Sequence, residues 1–190
     1  MNGTRRKVPP PAAPRPAKAR RAAPYTPPLL PIPPGTRRII IAANTRSPLG
    51  PVHLRPGDYL LQINRCLRRE QLQPPPGAPQ GLILRSGKGD KWFTPAGGIN
   101  GFHAVLCITD EALRPLPWWR AYERAAPGRR PTSGFIAAHL AAAHGLPVVL
   151  LGFAPAEDAG AYRWPGHAWA YEAAVYARPD SPFTILQDLP

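Results

Sequence analysis

Pro131-Thr132-Ser133-Gly134 stands where an alanine-rich helical stretch begins, and His167 and Glu172 follow it in the pattern His-x-x-x-x-Glu. Small residues at a helix start leave backbone N–H groups free to hold an anion. A histidine titrates near neutrality and can serve as a base. An anion cradle followed by a base predicts group transfer from a phosphorylated donor.

Each of these residues also has a plainer reading. Thr132 or Ser133 can be a helix cap that contributes about 1 kcal/mol and nothing more. That reading does not explain Gly134, which weakens a first helical turn by roughly 1 kcal/mol relative to alanine. A glycine there is expected where something approaches the backbone closely. His167 follows the loop Trp164-Pro165-Gly166 at a predicted helix start, where the helix dipole favours a neutral ring. It is either a base for a sugar hydroxyl or a capping histidine. Glu172 lies five residues on, about 140° around a helix, so the two side chains do not share a face and do not form a simple dyad. Glu172 is then a positioning residue or a solvated helix glutamate. Tyr162 either donates its hydroxyl to a departing phosphate or packs under the loop. Asn44 and Asn64 each follow a predicted strand, where an amide offers both a donor and an acceptor to a phosphate, ribose or base; as single residues they are ordinary turn formers. His53, His139 and His144 are read as structural, His139 on a core face and His144 at a helix C-terminus where positive charge is welcome.

Absences narrow the chemistry. The chain has no GxGxxG, no P-loop, no Asp-x-Asp and no GxSxG. Cys66 and Cys107 are neither in a CxxC pair nor near histidines at zinc spacing. A metal-independent, non-covalent mechanism is expected, with no resident cofactor. The formal charge is +13, and nine basic residues with no acid fall within residues 1–38, so the rest of the chain carries only +4. The basic tail is suited to weak contact with anionic surfaces, and nucleic acid is not the expected partner of the domain. No apolar run approaches the roughly 20 residues of a membrane span, and no apolar signal core is present, so the expected setting is cytoplasmic.

The elements that must position these residues are legible as alternation. Residues 1–36 are rich in Pro, Ala and Arg and read as a disordered leader, with the domain running from 37 to 190. Strands are predicted at Ile39–Ala43, Asp58–Asn64, Leu82–Leu84, Ala104–Ile108, Val148–Leu151 and, as an edge, Phe183–Leu186. Helices are predicted at Trp118–Ala125, from the Thr132 or Ser133 cap to a stop at Gly145, and at Ala168–Tyr176. In the middle helix, Phe135, Ile136, His139, Leu140 and Ala143 form the predicted core face. The pattern implies an α/β, Rossmann-like three-layer sandwich with a mostly parallel sheet.

Taken together these residues resemble glycosyltransferase family 29, the sialyltransferases, and their short bacterial relatives. The large motif of that family is similar to residues 39–64, with Asn44, Leu49-Gly50, Asp58 and Asn64. The small motif is similar to Arg130-Pro131-Thr132-Ser133-Gly134 through Leu151-Gly152-Phe153. A third resembles Tyr162-Arg163-Trp164, and the last is matched by His167 and Glu172. Gln62 departs from the pattern, standing where an arginine is common. The resemblance implies a variant of the GT-A-type sialyltransferase fold and metal-independent inverting transfer of sialic acid or a similar sugar from a CMP-sugar donor to a glycan hydroxyl. It implies nucleotide contacts from Asn44 and Asn64, a donor cradle at Thr132, Ser133 and Gly134, leaving-group stabilisation by Tyr162 and a general base at His167. Two rivals stand beside it: an inactive nucleotide- or glycan-binding accessory protein, and an interaction protein acting through the basic Pro-rich tail.

Overall fold

Six parallel strands form one sheet in the order β4-β3-β2-β1-β5-β6, where β1 is Arg38–Ala42, β2 Asp58–Ile63, β3 Gln80–Arg85, β4 Ala104–Ile108, β5 Val148–Leu151 and β6 Phe183–Leu186. Among the described residues there are three helices: α1 (Pro117–Ala125), α2 (Ser133–Ala142) and α3 (Trp169–Tyr176). The computed structural model describes residues 28–43, 54–64, 77–85, 99–153 and 165–186. The protein is thus an α/β Rossmann-like fold with an all-parallel sheet.

The central strands are apolar on both faces because both faces are buried, the usual condition of a parallel sheet. On one face Ile39, Ile41, Leu61, Ile63, Ile83, Val148 and Leu150 pack in a single core with Trp119 and Tyr122 of α1, Phe135 and Ile136 of α2, and Val175 and Tyr176 of α3. On the other, Ile40, Ala42, Leu60, Val149 and Leu151 form a smaller cluster to which none of the three helices contributes. Gln62 belongs to this second face by alternation and is buried there, donating to Gln80 Oε1 at 2.9 Å.

Local chemistry sets the helix ends. Pro117 occupies the first turn of α1, where its missing N–H costs nothing. Thr132 caps α2, its hydroxyl accepting from Phe135 N at 2.9 Å. The α2 backbone ends ahead of Gly145, which is left-handed at φ 69°. The predicted single apolar face of α2 is a correction, since Ala137, Ala138 and Ala141 are buried as well. The helix crosses β1, β2, β3 and β5, and one that lies across the middle of a sheet must be apolar nearly all round. His139 stacks on Trp118, 4.9 Å and 10° between rings, and burial lowers its pKa to about 4, so it is a core residue as predicted. Burial lowers the pKa of His144 as well, which works against the positive charge that a helix C-terminus favours.

The packed unit reaches further back than Arg37. Leu30 is 3% exposed within the main core, and the Tyr59 hydroxyl donates to Pro31 O. A composition rich in proline reads as leader, yet Leu30 and Ile32 pack against the main core. The chain before Pro28 lies outside the described residues.

Two consequences follow from the topology. The chain moves outward from β1 to β4 and then returns to the far side of β1 as β5. The strand order therefore reverses between β1 and β5, and the carboxyl ends of an open parallel sheet at such a reversal are where ligands bind. Close packing within the sheet is also demanding at Gly81, where a Cβ would lie 2.1 Å from the Tyr59 hydroxyl and 3.1 Å from Leu61 Cδ1. Gly81→Ala is expected to cost ~1–3 kcal/mol in urea unfolding, and an unchanged midpoint would show that Tyr59 yields freely.

Candidate functional site

The carboxyl ends of β2, β3 and β4 carry Asn64, Arg85 and Asp110, and all three converge on the four residues that lead into α2. Asn64 adopts the left-handed conformation (φ 50°), which asparagine tolerates better than most residues. Its Nδ2 donates to Ser133 Oγ at 2.9 Å, while its Oδ1 accepts from Arg85 N at 3.0 Å. The Arg85 guanidinium grips Asp110 Oδ1 through Nε (3.0 Å) and Nη2 (2.9 Å) and donates its Nη1 to Pro131 O. Asp110 uses its second oxygen for Arg130, with Nε at 2.8 Å. One carboxylate thus holds two arginines, one buried and one partly exposed.

Glu172 holds the next residue. Its Oε1 accepts from Thr132 N at 2.8 Å and its Oε2 from the Thr132 hydroxyl at 2.6 Å. Tyr122 of α1 brings its hydroxyl to the same Oε1 at 3.1 Å. At 3% exposure Glu172 is buried, which overturns the solvated-glutamate alternative, and its carboxylate anchors Thr132. Burial raises its pKa to about 7, against the opposing pull of Thr132, Tyr122 and Arg85.

His167 stands at the turn before α3, with Nδ1 2.6 Å from the Arg130 carbonyl. A carbonyl oxygen only accepts, so Nδ1 carries the proton and in the neutral ring the lone pair is on Nε2. Burial lowers its pKa despite that hydrogen bond, and Arg85 and Arg130 push the same way. The ring is therefore neutral at pH 7, in the tautomer a base working through Nε2 requires. Glu172 makes no direct dyad with it, as the helical spacing predicted; the two are linked through the Arg130–Thr132 backbone.

The close approach expected at Gly134 is made by a side chain of the protein itself. A Cβ there would lie 2.7 Å from Phe153 Cε1 and 3.0 Å from Cζ. The group that approaches this backbone is an aromatic side chain at the end of β5, itself perpendicular to Tyr176 at 5.9 Å. The Ser133 and Gly134 amides have no helical carbonyl to bond, the Phe135 amide being taken by the Thr132 hydroxyl, and the Ser133 hydroxyl keeps its own proton as a donor after accepting from Asn64.

Asn64, Thr132, Ser133, Gly134, His167 and Glu172 are thus brought together at one end of the sheet, whereas Asn44 and Tyr162 lie outside the described residues. Sequence reasoning missed Arg85, Asp110, Tyr122 and Phe153. Arg85 closes β3 and Asp110 lies two residues past the end of β4, and polar residues at several parallel strand ends are the signal that could have found them. Among the described residues no group of three or more His, Cys, Asp and Glu could hold a metal ion, and no helix is long and apolar enough to cross a membrane. No protein-family model, no curated protein and no solved structure matches the chain.

The raised pKa of Glu172 has a defined sign. A carboxyl whose folded value lies above its unfolded one contributes stability that is whole below about pH 4.5 and is lost as pH rises through about 7. The loss is on the order of 3 kcal/mol. Glu172→Gln should remove it, so the stability of the wild type relative to this variant should fall with pH across that window. Urea unfolding at a series of pH values would show parallel curves if the carboxyl does not titrate there. At Gly134, alanine should destabilise the wild type by ~1–3 kcal/mol and cost markedly less in a Phe153→Ala background, since the clash is with that ring. Equal costs in both backgrounds would place the glycine's requirement elsewhere.

Proposed function

We propose that the crevice at the carboxyl end of the sheet belongs to a metal-independent inverting glycosyltransferase, which moves sialic acid or a similar sugar from a CMP-activated donor to a glycan hydroxyl. The observation that carries this reading is that one strap, Arg130–Ser133, serves both halves of the chemistry. Its Arg130 carbonyl sets the tautomer of His167, and its other end is the helix N-terminus suited to a phosphate.

In this mechanism His167 Nε2 takes the proton of the acceptor hydroxyl as that oxygen bonds to the anomeric carbon. The bond from that carbon to the phosphate oxygen breaks, and CMP leaves with the electron pair. The developing negative charge is met by the Ser133 and Gly134 amides and the Ser133 hydroxyl, fixed donors that need no reorganisation during the reaction. By resemblance Asn44 and Asn64 contact the nucleotide and Tyr162 the leaving phosphate. The Asn64 amide also bonds Ser133 and Arg85 N, so its contribution includes shaping the cradle.

One observation favours the second reading, an accessory protein that binds nucleotide or glycan without transfer. The Phe153 ring lies directly over Gly134, the backbone a donor would approach.

Calorimetric titration of the full chain with CMP, UMP and AMP in the presence of EDTA tests the donor site. Saturable binding that prefers CMP is expected, and Asn64→Ala and Ser133→Ala should weaken it. His167→Ala should keep CMP binding while slowing transfer by ~10²–10⁴-fold. Binding of CMP with no transfer by the wild type would select the accessory reading, and a folded chain that binds no nucleotide would sink the transferase reading.

A further inference from the structure

Tyr122 sits on α1, a helix without any recognisable motif, yet its hydroxyl meets three groups around His167. It lies 3.0 Å from Arg130 O and 3.1 Å from Glu172 Oε1, and it accepts from Ala168 N at 3.0 Å. Arg130 O is the same carbonyl to which His167 Nδ1 donates, and Ala168 is the residue that follows His167. A single phenol therefore touches the main chain on both sides of the His167–Arg130 hydrogen bond.

The phenol is well placed to act as a fixed point. Its ring is fully buried and held by edge contacts with Phe135 (5.3 Å) and Tyr171 (5.2 Å, 88°). Burial and the neighbouring Glu172 carboxylate keep the hydroxyl protonated well above the ordinary tyrosine range, so it is always a donor. With one proton and two acceptors, it bridges Arg130 and Glu172, while its lone pair takes the Ala168 amide.

We propose that Tyr122 is a positioning residue that holds His167 in its Nδ1–H tautomer by fixing both the Arg130 carbonyl and the Ala168 amide, without touching substrate. The catalytic meaning of this role rests on the reading of His167 as the base; the tautomer itself does not. The tautomer of a histidine is set by the hydrogen bond its other nitrogen makes, and that bond is only as well defined as the acceptor's position.

The test is long-range ¹H–¹⁵N NMR of the full chain carrying ¹⁵N-histidine, comparing the wild type with Tyr122→Phe. A second variant with 4-fluorophenylalanine at position 122 fills the hydroxyl's volume without its proton, which keeps the test decisive if the phenylalanine variant does not fold. The wild type is expected to show His167 protonated at Nδ1. Either folded variant should lose that preference at least several-fold and shift the histidine's titration midpoint, which a merely structural tyrosine would leave in place. In transfer assays kcat should fall ~10- to 100-fold with KM for the donor unchanged. A wild type protonated at Nε2, or a tautomer unchanged in both folded variants, overturns the proposal. A wild type that shows the predicted tautomer but transfers no sugar overturns the transferase reading alone.

Discussion

Four consecutive residues, Arg130 to Ser133, are each gripped by side chains from elsewhere in the chain, and the site depends on that grip. Asp110 holds the Arg130 side chain, Arg85 the Pro131 carbonyl, Glu172 both the amide and the hydroxyl of Thr132, and Asn64 the Ser133 hydroxyl. The parallel sheet makes this possible. All of its strands end on the same side, and the register sets Ile63 beside Ile83 and Arg85 beside Ile108, so the residues that close neighbouring strands meet. A strap restrained at every residue presents the first turn of α2 with little freedom left to lose, which is the condition for preorganised electrostatics.

Such a network gives geometry more than stability. A buried ion pair breaks about even with a well-packed apolar substitute, whereas removing one partner leaves a buried charge uncompensated and costs ~3–5 kcal/mol. Arg85, Asp110 and Arg130 are arranged in that way, with one carboxylate shared between two guanidinium groups. Glu172 carries the tension furthest. It is surrounded by three donors that favour its charged form and by apolar packing that disfavours it, and the balance leaves its pKa at about 7. Desolvation outweighs those hydrogen bonds, so the pin between α3 and the start of α2 holds its proton to higher pH than an exposed carboxyl.

The elements were legible because their signals are local. Ile39, Ile40 and Ile41 read as a strand buried on both faces, and they form one. The Thr132 cap and Gly145 stop bracket α2 because an orphan amide and a left-handed turn each need a particular residue type. The site was half legible. His167 and the Thr132–Gly134 turn stand out by residue type, but Arg85 reads as an ordinary polar residue after a strand. Tyr122 reads as helix packing, and only the third dimension sets its hydroxyl against residues 8, 46 and 50 positions away.

Gly134 and Leu30 mark the same boundary from opposite sides. Residue type alone was enough to say that something must approach Gly134 closely, since a glycine in a first helical turn sacrifices stability; that the neighbour is Phe153 follows from where β5 ends relative to α2. Composition assigned Leu30 to a leader, and the core took it in because burial depends on which surface a side chain meets rather than on its neighbours in the chain. The sequence by itself determined the elements, their order and the chemical types available at the site, because helix caps, turns and apolar periodicity act over a few residues. Only the tertiary structure decided the partners, the tautomer of His167 and the charge balance of Glu172, because desolvation and long-range hydrogen bonds exist only once distant segments have packed together.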